Sequence, residues 1–169
     1  MRHIRRLAAL AVTLAALLAA RPARAQPLPN PYGAPITTEV AKKAATAALA
    51  EARKNGWAVY ATVVDTGGFV AYVERIDGVQ VGSAEASLEK ARASALFKRP
   101  TKLFEERITA GQLQYLKLPG SMPLDGGVPI LIDGKVVGAI GVSGATSAQD
   151  GQCARAGVEA VSPPPPPTR

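Results

Sequence analysis

Histidine is nearly missing from this chain. The one copy, His3, lies in the opening stretch "MRHIRRLAALAVTLAALLAARPARAQP". There Arg2, Arg5 and Arg6 precede an apolar run from Leu7 to Ala20, and Ala23-Arg24-Ala25 supplies a small-x-small cleavage pattern. This arrangement predicts a secretory signal peptide over residues 1–25. The apolar run is about 14 residues, short for a roughly 30 Å hydrocarbon core, and no later segment is long and apolar enough to span a membrane. Cleavage after Ala25 therefore predicts a mature protein without histidine, placed in the periplasm or secreted. That excludes a Ser-His-Asp triad, a Cys-His pair, a histidine-rich zinc site and a histidine-ligated haem. No metal site is expected. Cysteine is equally scarce. Cys153 alone cannot form an internal disulfide, so it is either packed in a helix or exposed to another chain.

The charge excess shrinks with the same segment. Loss of Arg2, Arg5, Arg6, Arg21 and Arg24 lowers the formal net charge from +7 to about +2. The basic character belongs mostly to the export signal and gives no support for nucleic-acid binding. Lys98, Arg99 and Lys102 form a small positive cluster, suited to a carboxylate or propionate or simply a solvated loop. It lacks the extent needed to track a nucleic-acid backbone.

What remains reads as one domain over residues 36–161, between a proline-rich lead-in (26–35) and a proline-rich tail (162–169). Ile36 to Lys54 has helical spacing of Val40, Ala44, Ala47, Ala48 and Ala52, with Thr37 or Thr38 as cap and Asn55-Gly56 as stop. "WAVYATVVD" and "FVAYVER" read as strands joined by a tight turn, and Ser83 to Leu96 as a helix broken at Pro100. Thr101 to Ile108 is a short helix. "VPILI", Asp133-Gly134 and "KVVGAIGVSG" form a second hairpin. Strict alternation there puts Val136, Gly138, Ile140 and Val142 on one face and Val137, Ala139, Gly141 and Ser143 on the other. Ser147 to Ala160 closes the domain as a helix capped by Thr146 or Ser147. The order predicts an α+β fold with a mainly antiparallel sheet flanked by helices, since both strand pairs are joined by turns.

Chemistry is thin. The glycines of "GAIGVSG" fall inside a strand, so they are not a dinucleotide or phosphate loop. The amides of "GATS" either hold an anion or serve ordinary helix capping. Asp77 beside Arg75, and Glu85 four residues from Glu89, are the weak acid–base candidates. The plainer account of Glu85, Glu89 and Lys90 is a solvated helical face. Tyr60, Tyr72, Tyr115, Met122 and Cys153 are the remaining axial donors for an iron.

Three stretches, "LAEARKNGWAVYATVVDTGGFVAYVERIDG", "SAEASLEKARASALFKRPT" and "LPGSMPLDGGVPILIDGKVVGAIGVSGATSAQDGQCARAG", together resemble the GlcG/HbpS-like family, once a domain of unknown function. The resemblance spans Ile36 to Ala160 and implies a profilin-like α+β fold and a homo-oligomer. It also implies haem or another tetrapyrrole as ligand in some exported members, with Thr101 as the contact carried over from them. Where several members carry a histidine after "TGG", this chain has Phe69. The expected function is an exported small-molecule binding protein. Its cofactor site would draw on Arg75, Phe97, Lys98, Arg99, Thr101, Tyr115 and Met122. The alternatives are an enzyme or accessory acting on a small organic acid or aromatic breakdown product, with Asp77 or Glu85 as catalytic groups, and a periplasmic structural or signalling partner.

Overall fold

A computed structural model describes residues 30–162. The expected signal peptide, the first part of the lead-in and residues 163–169 lie outside the described residues. Among the described residues no helix is long and apolar enough to cross a membrane.

Helix α1 spans Thr38–Lys54. The Val40 amide donates to the Thr37 side chain, which caps the helix, and Arg53 and Lys54 complement the dipole in the last turn. Its inner face is almost wholly alanine: Ala41, Ala44, Ala45, Ala48 and Ala52, with Leu49. Strands β1 (Tyr60–Asp65) and β2 (Val70–Arg75) follow as a hairpin. The Asp65 carboxylate ties that turn by accepting from the Gly67 and Phe69 amides at 2.8 and 3.0 Å. Trp57, expected to begin the first strand, belongs instead to the exit of α1, where its amide donates to Ala52 O at 2.9 Å.

Helix α2 (Ser83–Phe97) ends at Lys98, whose φ of 53° is left-handed, just before Pro100. Helix α3 (Lys102–Thr109) and a 3-10 turn (Leu113–Lys117) lead to β3 (Gly127–Ile132). Asp133 and Gly134, with φ of 51° and 72°, make the two-residue turn into β4 (Lys135–Ser143). Helix α4 (Ser147–Glu159) starts with a capping box between Thr146 and Gln149.

The four strands form one antiparallel sheet in the order β2-β1-β4-β3. Helices α1 and α4 cover one face over Ala61, Val63, Ile140 and Val142. Helix α2 covers the other, over Val64 and Ala139. That contact is very close. A Cβ at Gly141 would collide with the Ser87 carbonyl and the Ala91 amide, so only glycine lets the helix backbone rest on the strand.

Strict alternation fails at two places, the first between Val63 and Val64, whose partners on β2 are Tyr72 and then Val70. The β3–β4 register shifts between Ile130 and Leu131, where Gly138 and then Val136 are the partners. The extra residue is Val137, which therefore joins the cluster of Ile140 and Val142 rather than that of Ala139. Part of the lead-in is also anchored. Tyr32 forms a parallel bridge to Val136, and its hydroxyl donates to Ala95 O at 3.0 Å.

Candidate functional site

The site residues read from the sequence separate into two groups at opposite ends of α2, a helix about 22 Å long at 1.5 Å per residue. Arg75 and Asp77 lie by its entry, both exposed. The Arg75 guanidinium donates to the Tyr60 hydroxyl at 3.2 Å and stands over that ring. Glu85 is exposed in the first turn of α2, and Glu89 pairs with Arg92 at 3.0 Å instead of with Glu85. Phe97 and Lys98 close the other end, Arg99 and Thr101 follow them, and Tyr115 connects to Phe97 through Phe104.

That second group is built around aromatic packing. Phe97 meets Phe104 edge-on with ring centroids 5.3 Å apart, and Phe104 meets Tyr115 at 6.2 Å. Phe104 is buried beneath, while Phe97 and Tyr115 are half-buried and form the outward shelf. Cations frame it. Arg107 lies 5.1 Å over the Tyr115 ring, and Lys98 lies 4.1 Å over the Tyr32 ring. The Arg99 guanidinium donates to Phe97 O at 3.0 Å. Leu113 and Leu116 of the 3-10 turn are each about 60 % exposed, and Leu103 and Leu124 are also exposed. Met122 is half-buried in the loop that follows.

Thr101 holds this group from below. It is fully buried. Its hydroxyl donates to Leu124 O at 2.7 Å and accepts from the Gly127 amide at 2.9 Å, so the side chain is committed to the 118–127 loop.

The other side of α3 is different. Lys102, Glu105, Glu106, Thr109, Ala110, Asp125 and Ala148 enclose a cleft of about 430 Å³. Behind Asp125, which lines the cleft, is a buried polar network that the sequence did not disclose. Lys90, expected on a solvated face, is 2 % exposed. Its Nζ donates to Asp150 Oδ2 at 2.8 Å and to Val142 O at 3.1 Å. Asp150 Oδ1 accepts from the Ala145 amide at 3.0 Å. Burial pushes the Asp150 carboxyl above the usual carboxylate range, while the Lys90 bond and charge draw it back down. Asp125 Oδ1 accepts from the Gly126 amide at 2.7 Å, and Oδ2 from Arg155 at 3.3 Å. Gly151 leaves room for that carboxylate, which a Cβ there would strike. The Asp125 amide donates to Glu105 Oε2 at 2.8 Å. The signal in the sequence was Asp150 in the first turn of a helix. Its partner lies 60 residues away, beyond the reach of local periodicity. Among the described residues no group of three or more His, Cys, Asp or Glu is placed to hold a metal ion.

The two sides of α3 thus offer an aromatic, cation-framed shelf and an acid-lined cleft. Phe97 and Tyr115 would hold the faces of a tetrapyrrole, Arg107 its carboxylates, and the Tyr115 phenol could donate to an iron. The cleft, with Glu105, Glu106 and Asp125, does not suit such carboxylates.

This is a small α+β domain, a four-stranded antiparallel sheet with helices on both faces. It belongs to the family described as "Haem degrading protein HbpS-like", whose model matches residues 36–159. The chain is 39 % identical over 108 residues to Protein GlcG of Escherichia coli K12, covering 64 % of this chain and 81 % of that protein. The crystal structure of Klebsiella pneumoniae protein ORFY matches with a TM-score of 0.70 at 30 % identity, covering 84 % of this chain and 97 % of that one. A double mutant of HbpS from Streptomyces reticuli matches with a TM-score of 0.68 at 34 % identity, covering 83 % and 96 %.

Proposed function

We propose that this protein is an exported small-molecule binding protein whose ligand is haem or a related tetrapyrrole. The observation that carries the reading is the packing of Phe97 and Tyr115 on buried Phe104, with the Arg107 guanidinium over the Tyr115 ring. Membership of a family described by haem supports the same ligand class. On this reading Thr101 positions the 118–127 loop and Met122 rather than touching the ligand, because its hydroxyl is already satisfied by backbone. Arg75 stands outside the shelf, at the far end of α2. The helices on both faces of a 2-1-4-3 sheet support a profilin-like description. Export rests on the sequence of residues 1–25. Copies of the chain assemble through β2, an edge strand with Val70 and Val73 exposed and Phe69 (73 % exposed) in the turn just before it.

Titration of purified apoprotein with haem is expected to produce a saturable Soret band. Phe97→Ser and Arg107→Glu should each weaken the affinity, and Tyr115→Phe should shift the band if the phenol meets the iron. No spectral change at micromolar haem would overturn the reading. A second reading is an enzyme acting on the bound ring, which the family's description as haem degrading favours. Loss of the Soret band over time in the presence of a reductant and oxygen, with release of iron, would support it. A band that persists would argue for binding alone.

A further inference from the structure

The residues just ahead of α1 take the place of a missing stretch of strand. Strand β1 ends at Asp65, opposite Gly138, so among the described residues Lys135 to Val137 have no partner on β1. Residues 31–36 supply one. The Val136 amide donates to Pro31 O at 2.9 Å, the Gly33 amide to Val136 O at 2.9 Å and the Ile36 amide to Val137 O at 2.8 Å. Gly33 suits this close approach, since a Cβ there would come within 3.0 Å of Lys135 Cβ.

From this bridge the Tyr32 side chain reaches the last turn of α2, 63 residues along the chain. A helix leaves its last four carbonyls without helical donors. In α2 these are Ser94, Ala95, Leu96 and Phe97. Ser94 O accepts from the Lys98 and Arg99 amides, and Phe97 O accepts from the Arg99 guanidinium. The remaining two, Ala95 O and Leu96 O, share the Tyr32 hydroxyl at 3.0 and 3.2 Å. The same ring lies beneath the Lys98 ammonium, 4.1 Å from its centroid. Lys98 ends the helix with a left-handed φ of 53°, a conformation unfavourable for a residue with a side chain.

We propose that Tyr32 is a positioning residue for the aromatic shelf: it latches the last turn of α2 and so fixes Phe97. The inference rests on the ligand reading given above. Phe97 stands between the carbonyls that Tyr32 caps and the lysine that it holds. Its ring packs on Phe104, which in turn meets Tyr115. A turn held on both sides keeps Phe97 in place before a ligand arrives, which lowers the entropy lost on binding. Tyr32 lies ahead of residues 36–159, the span matched by the family model. The latch also gives Lys98, expected at a ligand carboxylate, a different partner.

The experiment compares the mature wild-type chain with Tyr32→Phe and Tyr32→Ala. Phenylalanine keeps the ring beneath Lys98 and loses only the hydroxyl, whereas alanine loses both. Amide exchange is read first, in the apoprotein. Tyr32→Phe should speed exchange of the Lys98 and Arg99 amides about fivefold, the factor that one hydrogen bond supplies. Tyr32→Ala should speed it further, with α1 and β1 unchanged in both variants. Haem affinity from the Soret titration should then fall in the same order. Unchanged exchange at Lys98 and Arg99 would overturn the proposal. Faster exchange spread evenly over the domain would overturn it too, since Tyr32 would then support the fold as a whole. Faster local exchange with wild-type haem affinity would remove the positioning role. Because the exchange is read without ligand, a wild type that binds no haem would count against the ligand reading and not against the latch.

Discussion

Lys90 and Asp150 show how much a single buried pair decides. Their side chains are 2 % and 3 % exposed, and the pair joins α2 to the start of α4. Removing one partner strands the other charge away from water. Lys90→Met is expected to cost about 3–5 kcal/mol, measured by urea denaturation. Asp150→Asn should cost less, because Lys90 keeps its bond to Val142 O. The pH dependence follows from the direction of the Asp150 shift. With its folded value raised, the folded protein keeps a proton that the unfolded chain has lost. Stability from this group therefore falls as pH rises from the ordinary carboxylate value to the raised one, and is level above it. Lys90→Met removes the opposing pull, so a carbon-detected titration of Asp150 should move further upward. Cys153 is another buried titrating group, its thiol pushed up to about 11 chiefly by burial. It is expected to resist a disulfide reagent at pH 8 in the native protein and to react once urea unfolds the chain. Rapid native labelling would mean that α4 opens locally.

At the scale of elements, Thr101 is the link between α3 and the loop before β3. Thr101→Val keeps the volume but leaves Leu124 O and the Gly127 amide without their hydroxyl, for a loss of about 1–3 kcal/mol. The expected signature is faster amide exchange across residues 118–127, with α1 unchanged. Most elements were legible because each carries its own local signal: alanines at helical spacing in α1, Asp133-Gly134 between β-branched runs, and Thr146 before α4. The departures have physical causes that local pattern does not record. The bulge that moves Val137 to the other face is set by pairing with β3. The burial of Ser87 and Lys90 in α2 comes from polar partners on distant elements, Thr62 and Asp150, and from the glycine beneath the helix. For the site, the aromatic residues were recognisable by type, but the separation of Arg75 from Phe97 needed the length and direction of α2. Asp125 gave no signal of its own, since a single acid between prolines and glycines reads as a turn.

For the whole molecule, the two edge strands differ in character: β3 is partly covered, where Gly127 O accepts from the Thr101 amide, and β2 is open. Along β2 and the turn before it, Phe69, Val70 and Val73 are all more than half exposed. Val73→Lys on that strand is expected to shift the native mass spectrum toward smaller species without lowering the melting temperature. An unchanged distribution would remove β2 from the contact between copies. One further property comes from Trp57, the only indole in the chain, half-buried at the exit of α1 and packed against the main core. It stands near the start of β1, at the end of the sheet remote from Phe97 and Tyr115. A bound porphyrin absorbs where an indole emits, so the protein carries its own optical ruler. A ligand on the aromatic shelf would dim Trp57 only partly, whereas one beside Arg75 would extinguish it. The depth of quenching at saturation therefore reads out which end of α2 is occupied.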